Sequence, residues 1–212
     1  MLSFKFNTNS AFPSAVSWVA AHAKSTLSPI HRYLLLTVLE NGVVKVEATN
    51  GAYFLNKSTR IESCQVAGKV CVDAAKFSSI CQNIPNDQLV TVSINREQDK
   101  ITGMVTLTGI VTAGRSKFKI MCMEAEMFPN PNLCEKKFQL KVSAAALAAA
   151  LEKLNRVAPD KDARTILNCV CMEIDETGKC TLVASDGIRA AKAEFAGTII
   201  TPTAGPITIL IP

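Results

Sequence analysis

Short runs of alternating apolar and polar residues recur along the chain and predict β-strands. "FKFN" at 4–7 and "FQLKV" at 138–142 alternate with a period of two, and each leads into a segment with helical spacing. After each helical segment come two longer apolar runs joined by a glycine turn, at 33–49 and 166–185. The pattern therefore predicts two copies of a strand, a helix and further strands.

The helical segments each carry one apolar stripe and begin at a serine. Ser10 and Ser143 are placed to cap them, because a serine side chain can accept a hydrogen bond from the first turn. The stripe residues recur at helical spacing, which predicts that one face of each helix is buried. They are Phe12, Val16, Val19, Ala20 and Ala23 in the first segment, and Leu147, Leu151 and Leu154 in the second.

The two copies also match residue by residue. "LENGVVKVEATNG" at 39–51 aligns with "DETGKCTLVASDG" at 175–187 at one constant offset. A shorter echo at 68–85 again gives a strand, a cap at Asp73 and a short helix. Together these repeats predict an α+β fold of duplicated strand-helix-strands units, with the helices packed on antiparallel sheets.

The same repeats predict the domain organisation. We expect a first domain at 1–125, a linker at 126–137 that contains two prolines, and a second domain at 138–212 of which only the first half is present. A chain of 212 residues with 48% hydrophobic residues can bury two such cores.

Composition narrows the classes of protein further. The chain lacks an export signal and its eight cysteines are irregularly spaced, so we expect a cytoplasmic protein without disulfides. Cys169 and Cys171 share a strand face and could pair on a metal, but no histidine is near them in sequence, which favours small buried hydrophobes. The net charge of +5 is compatible with a polyanionic partner.

The polar interruption in "LVASDGIRAA" at 182–191 allows three interpretations: an active site, a partner-binding site, or a structural turn with a local ion pair. An enzyme would use Asp186 with Arg189, or a thiol of Cys169 or Cys171. The chain has neither a phosphate-binding loop nor a nucleophile elbow, and its two histidines are distant in sequence from these residues. We therefore predict no catalytic residue, no metal and no cofactor.

Several stretches, in order over essentially the whole chain, resemble the bacterial DNA sliding clamp family, the beta subunit of DNA polymerase III. They are "STLSPIHRYLLL" at 25–36, "AGRSKFKI" at 113–120, "FPNPN" at 128–132, "DKDARTILN" at 160–168 and "LVASDGIRAA". The resemblance implies a DNA-clamp fold and a non-enzymatic processivity factor. In this family two chains of three domains close head to tail into a ring around duplex DNA, and polymerases, clamp loaders and repair proteins dock through short linear motifs.

A chain with one and a half clamp domains is expected not to close a ring alone. The family's DNA-contacting positions fall on cations of this sequence. Lys153 and Arg156 lie away from the leucine stripe of their helix, although a solvated helix face would show the same pattern. The aromatic pair that usually follows the DNA-contacting loop is replaced by Thr165 and Ile166. The full set is Lys24, Lys153, Arg156, Lys161 and Arg164.

Two protein interfaces are implied as well. Ring closure would use Phe118 and Ile120 as apolar contacts, surrounded by Lys76, Arg115 and Lys117, although alternation alone equally allows Phe118 and Ile120 to be core residues. Half of a pocket for partner peptides would lie on the turn of the second copy, where Ile188 and Ala190 depart from the usual residues. Its members are Leu167, Ser185, Gly187, Ile188, Arg189 and Ala190.

A second function stays open at this point: a clamp-fold interaction protein of phage or mobile-element type that does not encircle DNA. The long hairpin at 96–107 and the basic rather than acidic charge balance favour it.

Overall fold

The structure is a computed structural model that describes residues 2–23, 28–51, 53–98, 105–130, 138–201 and 205–211. The chain divides into two compact units, Met1–Asn132 and Leu133–Pro212. Within the described residues, no helix is long and apolar enough to cross a membrane.

Unit 1 contains nine strands and two helices in its described part. The helices are α1 (Ala11–Ala20) and α2 (Ala74–Asn83). The strands are β1 (Leu2–Asn7), β2 (Tyr33–Val38), β3 (Val43–Thr49), β4 (Phe54–Arg60), β5 (Ser63–Val66), β6 (Gly68–Asp73), β7 (Leu89–Gln98), β8 (Val105–Ala113) and β9 (Ser116–Met123). They form one antiparallel sheet in the order β4-β3-β2-β6-β9-β8-β7-β1-β5.

The predicted caps and stripes of unit 1 are confirmed. The Ser10 side chain accepts a hydrogen bond from Phe12 N, and the Asp73 side chain accepts one from Lys76 N at 2.8 Å. The stripe that begins in α1 is buried except for the half-buried Ala20, and its aromatic member Phe12 packs edge-on against Phe4 of β1. Phe12 also contacts Phe77 of α2, so the two helices and the sheet share one core.

Unit 2 is smaller and repeats the first part of this arrangement. It contains β10 (Leu140–Val142), α3 (Ala144–Leu154), β11 (Val170–Ile174), β12 (Lys179–Ser185), β13 (Ala190–Ile199) and β14 (Ile207–Ile211). The sheet order is β10-β13-β12-β11-β14. Ser143 caps α3 as predicted, and Leu154 of α3 is fully buried against the sheet.

The two copies of the sequence repeat form hairpins with the same pairing register. Leu35 lies opposite Glu47 in the β2–β3 pair, and Cys171 lies opposite Val183 in the β11–β12 pair. Each hairpin turns at a glycine with positive φ, Gly42 at 74° and Gly178 at 87°. The fold class is therefore α+β with antiparallel sheets, as the alternation predicts.

The beginning of the predicted linker packs on unit 1. Residues Ala125–Met127 form a 3₁₀ turn, and Phe128 behind it is only 5% exposed. The two units divide between Asn132 and Leu133, but the structure does not describe residues 131–137, so the linker at 126–137 stays a prediction.

Candidate functional site

The turn that connects β12 to β13 is held by its own polar side chains. Ser185 donates its hydroxyl to Arg189 O at 2.8 Å, and Gly187 N donates back to Ser185 Oγ at 3.1 Å. The Asp186 carboxylate accepts from Ile188 N at 2.9 Å and from Arg189 N at 2.6 Å. These backbone bonds, with a further bond from the Arg189 side chain, lower the pKa of Asp186 to about 2.

The corresponding turn of the first copy uses the same bonds. Thr49 donates its hydroxyl to Tyr53 O at 2.8 Å, and Gly51 N donates to Thr49 Oγ1 at 3.0 Å. Tyr53 N donates to Asn50 Oδ1 at 3.1 Å, as Arg189 N does to Asp186. Because an amide replaces the carboxylate without loss of the turn, the acid is an element of the fold rather than the mark of an active site.

Arg164, one of the predicted DNA-contacting residues, lies against this turn. Its guanidinium binds the Asp162 carboxylate at 3.0 Å and donates to Asp186 O at 3.3 Å. A Cβ on Gly187 would come within 2.9 Å of both terminal nitrogens of Arg164. Arg164 therefore lies over one side of Gly187, and its guanidinium bonds within the protein while 61% of its side chain stays exposed.

The other predicted pocket residues form an exposed platform beside Arg164. Ile188 is 95% exposed, and Gly187 and Ala190 are exposed with it. Arg189 keeps 71% of its side chain exposed although it pairs with Asp186 at 2.9 Å. Ser185 and Leu167 are half-buried, the latter in the 3₁₀ helix Thr165–Asn168. Such a surface can present one large aliphatic group and one fixed cation to a ligand.

In unit 1, most of the predicted ring-closing residues line one shallow groove between α2 and β9. The groove has a volume of about 600 Å³. Its lining includes Lys76, Lys117, Phe118 and Ile120, together with Lys119, Ser79, Ile80 and Ala75. Arg115 is exposed in the adjoining turn between β8 and β9. The groove thus combines an apolar floor with three lysines at its sides.

The two apolar members of the groove differ in exposure. Phe118 is 37% exposed, whereas Ile120 is 2% exposed and belongs to the core of unit 1. Gly109 of β8 lies opposite Ile120, and a Cβ there would approach Ile120 Cγ1 to 2.6 Å. Ile120 therefore contributes only to the floor of the groove. Of the two alternatives that alternation allows, the structure gives the Ile120 side chain a core position, because Gly109 has no side chain to occupy that space.

The first part of β9 is also open along one edge. Among the described residues, the ladder from β6 to β9 comprises Cys71 opposite Met123 and Val72 opposite Cys122. Residues 116–122 pair with β8 on the other side. The groove thus adjoins a strand edge with free backbone hydrogen-bonding groups, which suits the addition of another strand.

The predicted DNA-contacting cations are distributed over helix ends and loops. Lys24 lies outside the described residues. Lys153 is exposed on α3, and Lys161 is exposed in the loop that follows. Arg156 pairs with Glu152 at 3.5 Å, but both side chains are about three-quarters exposed, so the pair is weak and can exchange for a phosphate.

The thiols of the described residues are buried or half-buried. Burial raises the pKa of Cys71 and of Cys81 to about 12, as expected for small core residues. Cys169 and Cys171 are half-buried, and the described part of the chain contains no group of three or more histidines, cysteines or acids that could hold a metal. Asp186 holds the Arg189 side chain at 2.9 Å within the turn, while 71% of that side chain stays exposed.

Comparison with known protein families shows which family the chain belongs to. The family described as "DNA polymerase III beta subunit, N-terminal domain" matches residues 3–133, more than half of the chain. The chain belongs to this beta-subunit family. Residues of both the groove and its open strand edge lie within the matched range.

Curated relatives of the beta-subunit family are named beta sliding clamps. The Vibrio cholerae beta sliding clamp is 33% identical over 166 residues, which is 78% of this chain and 42% of the relative. The Pseudomonas aeruginosa protein is 26% identical over 157 residues, 74% of this chain and 40% of the relative. The chain spans less than half the length of these relatives.

Solved structures of the family share the fold of both units. The DNA polymerase III subunit beta of Pseudomonas aeruginosa matches with a TM-score of 0.83 at 23% identity, over 99% of this chain and 53% of that one. The Helicobacter pylori beta clamp bound to DNA ligase peptide matches with a TM-score of 0.82 at 18% identity, over 99% and 56% respectively. The DNA-clamp fold expected from the sequence is confirmed.

Sequence reasoning missed Lys119 and the position of Arg164. Lys119 is signalled by the alternation of "SKFKI", which puts Lys117 and Lys119 on one side of β9 and Phe118 and Ile120 on the other. Arg164 has no comparable signal, since 22 residues separate it from the Asp186 carbonyl that it binds.

Proposed function

We propose that this protein is part of a DNA sliding clamp, the non-enzymatic processivity factor of a replicative DNA polymerase. The observation that carries the proposal is the beta-subunit match over residues 3–133, joined to a clamp fold that continues through both units. Relatives named beta sliding clamp favour this function over a clamp-fold protein that does not encircle DNA. A clamp of this kind acts on the chromosome, which places it in the bacterial cytoplasm.

Ring closure is assigned to the groove between α2 and β9. Phe118 offers an exposed aromatic side chain, and the adjoining edge of β9 has backbone groups that can pair with a strand of another subunit. Lys76, Lys117 and Lys119 require acidic groups on the partner surface. In the homodimer of full-length chains that the family resemblance implies, the third domain of the other subunit would supply that surface.

DNA binding is assigned to exposed cations that contact phosphates rather than bases. Lys153 and Lys161 carry exposed, mobile ammonium groups, and Arg156 can leave its weak pair with Glu152. Contacts of this kind hold a duplex without reading its sequence, as a protein that slides along DNA requires. Lys24 and Arg164 remain in the proposed set on the resemblance alone.

Peptide docking is assigned to the exposed turn after β12. Ile188 provides an apolar surface and Arg189 a fixed cation, with Arg164 closing the side at Gly187. The fold match to a beta clamp bound to DNA ligase peptide supports a peptide ligand here. Polymerase, clamp loader and repair proteins are the partners that this proposal implies.

The DNA assignment is tested by measuring the affinity for two duplexes of unrelated sequence over a range of salt concentrations. Both duplexes should bind equally and more weakly as salt rises. The slope of log affinity against log salt concentration should be smaller in magnitude by about 1.8 in a Lys153→Gln/Lys161→Gln variant. This is about 0.9 for each lost phosphate contact. Lys192→Gln is the matched control, because Lys192 is an exposed lysine of β13 that pairs with Glu194. A salt-independent affinity, or a preference for one sequence, contradicts the assignment.

A further inference from the structure

An exposed aromatic surface lies where α1 meets β4. Trp18 and Tyr53 are 48% and 43% exposed, which is unusual for such large side chains beside a well-packed core. His22 stands between them, with ring centroids 5.3 Å from Trp18 and 6.3 Å from Tyr53. The Lys57 ammonium lies 5.7 Å from the centre of the Trp18 ring. We call these four residues the Trp18 surface.

The fold holds the Trp18 surface in place. The Trp18 carbonyl accepts a hydrogen bond of 2.9 Å from His22 Nδ1, which fixes the imidazole one turn further along the chain. Tyr53 N donates to Asn50 Oδ1, so the first residue before β4 is tied to the turn after β3. Lys57 lies opposite the buried Val46 and therefore on the sheet face that α1 covers. The rings are thus presented by a helix and a strand, with little conformational freedom left to lose on binding.

The charge around these rings has one sign. Neither α1 nor β4 contains an acidic residue, and Lys57 of β4 lies on the face that carries the rings. The nearest paired carboxylate of the sheet, Glu47, lies opposite Asn56 on the other face and binds Lys45 at 2.8 Å. Aromatic faces next to an unopposed cation suit a ligand that is both flat and anionic.

We propose that the Trp18 surface binds unpaired bases of single-stranded DNA. A base can stack on the indole or phenol ring, while Lys57 contacts the adjoining phosphate. Duplex DNA does not fit this role, since its bases are already stacked on each other and turn only their edges outward. The inference rests on the proposed function, because it adds a single-strand contact to a protein that holds duplex DNA by other residues.

The direct test uses Trp18 as its own probe, because it is the only tryptophan of the chain. The chain is titrated with an oligothymidylate of about 16 nucleotides, the upper range of sites bound by single-strand modules. Stacking should quench the tryptophan fluorescence to a plateau. A duplex of equal nucleotide concentration should quench far less, and an acidic peptide such as polyglutamate should not quench.

Variants separate stacking from simple charge attraction, with affinity read from the anisotropy of a labelled oligothymidylate. Trp18→Leu and Tyr53→Leu keep an apolar side chain and should each weaken binding about fivefold or more. Lys57→Gln should reduce the slope of log affinity against log salt concentration by about 0.7 in magnitude, the value for one phosphate contact to a single strand. Phe54→Leu is the matched control, since Phe54 is the neighbouring exposed aromatic residue and points to the other face of β4; it should leave the affinity unchanged.

The outcomes distinguish this inference from the proposed function. If the fluorescence stays constant while duplex DNA still binds through Lys153 and Lys161, the inference is overturned and the proposed function stands. Equal quenching by duplex DNA, quenching by polyglutamate, or equal losses in Phe54→Leu and Tyr53→Leu also overturn it. If oligothymidylate quenches Trp18 but no duplex binds, the Trp18 surface is supported and the duplex assignment fails.

Discussion

Arg164 packs beside Gly187: both terminal nitrogens of its guanidinium lie 2.9 Å from the position that a Cβ on Gly187 would occupy. In the first copy the ring of His31 fills the corresponding space over Gly51, at 3.0 Å from an added Cβ. The two copies thus place a planar cationic or imidazole group on the same glycine. The glycine is required by the turn and by this packing, and the surface available to a partner begins at Ile188.

Replacing Gly187 by alanine should destabilise unit 2. The residue has φ of 89°, outside the region that an L side chain adopts without strain, and the new methyl group would collide with Arg164. We expect a loss of about 1–2 kcal/mol from backbone strain, and a small further loss because the flexible end of the Arg164 side chain must move. Thermal and urea unfolding measure the loss.

Gly42→Ala is the control for that experiment. Gly42 has φ of 74°, but the nearest heavy atom to an added Cβ is 3.7 Å away, so only the backbone strain remains. Gly187→Ala should therefore cost more than Gly42→Ala, and an added Arg164→Ala change should recover part of the difference. Equal losses in the two single variants would show that Arg164 does not restrict the turn.

Asp186→Asn tests the turn by pH. The hydrogen bonds from Arg189 and Ile188 lower the pKa of Asp186 to about 2, below the unperturbed value of about 3.9. The carboxylate therefore stabilises the fold above about pH 4, and this contribution is lost as the pH falls from about 4 to about 2. At neutral pH, the melting temperature of Asp186→Asn should be lower than that of the parent protein.

The difference from the parent protein should shrink over that acidic interval, because asparagine keeps the Oδ1 acceptor but does not titrate. Hydrogen bonds with Arg164 lower the pKa of Asp162 to about 2. Asp162 is present in both proteins, so its contribution to the pH dependence cancels in the comparison. A difference that stays constant down to about pH 2 would contradict the role of the Asp186 carboxylate.

Ile120 and Phe118 should respond differently to truncation although they share one face of β9. Ile120→Ala removes a core side chain that is 2% exposed, and should cost about 2–5 kcal/mol in urea unfolding. Phe118→Ala should cost less than about 2 kcal/mol, because 37% of its side chain is exposed. If Phe118→Ala were the more destabilising change, Phe118 would be a core residue rather than part of an interface.

The local elements of the fold can be predicted because neighbouring residues determine them. Ser10, Asp73 and Ser143 mark the beginnings of the three described helices, since a cap needs only a bond within one turn. The hairpin glycines follow from their conformational freedom, and the alternation of the strands gives the buried face. The repeat then predicts that both copies share one topology.

The site could be predicted only in part, because its residues meet through long-range packing. Alternation puts Phe118 and Ile120 on one face of β9, but the depth of Ile120 depends on Gly109 of another strand. The position of Arg164 follows from its bonds to Asp162 and to the Asp186 carbonyl. The Trp18 surface likewise forms only when β4 packs beside α1, and no local pattern indicates that contact.

Chemical-shift mapping of a clamp-binding peptide tests the central claim most directly, that the turn after β12 docks partners of a sliding clamp. The ¹⁵N-labelled chain is titrated with the peptide and with a scrambled version of it. The account predicts saturable shifts at Gly187, Ile188 and Arg189 with the native peptide only, and their loss in Ile188→Glu. Shifts absent from this turn at saturating peptide, or equal with the scrambled peptide, would contradict it.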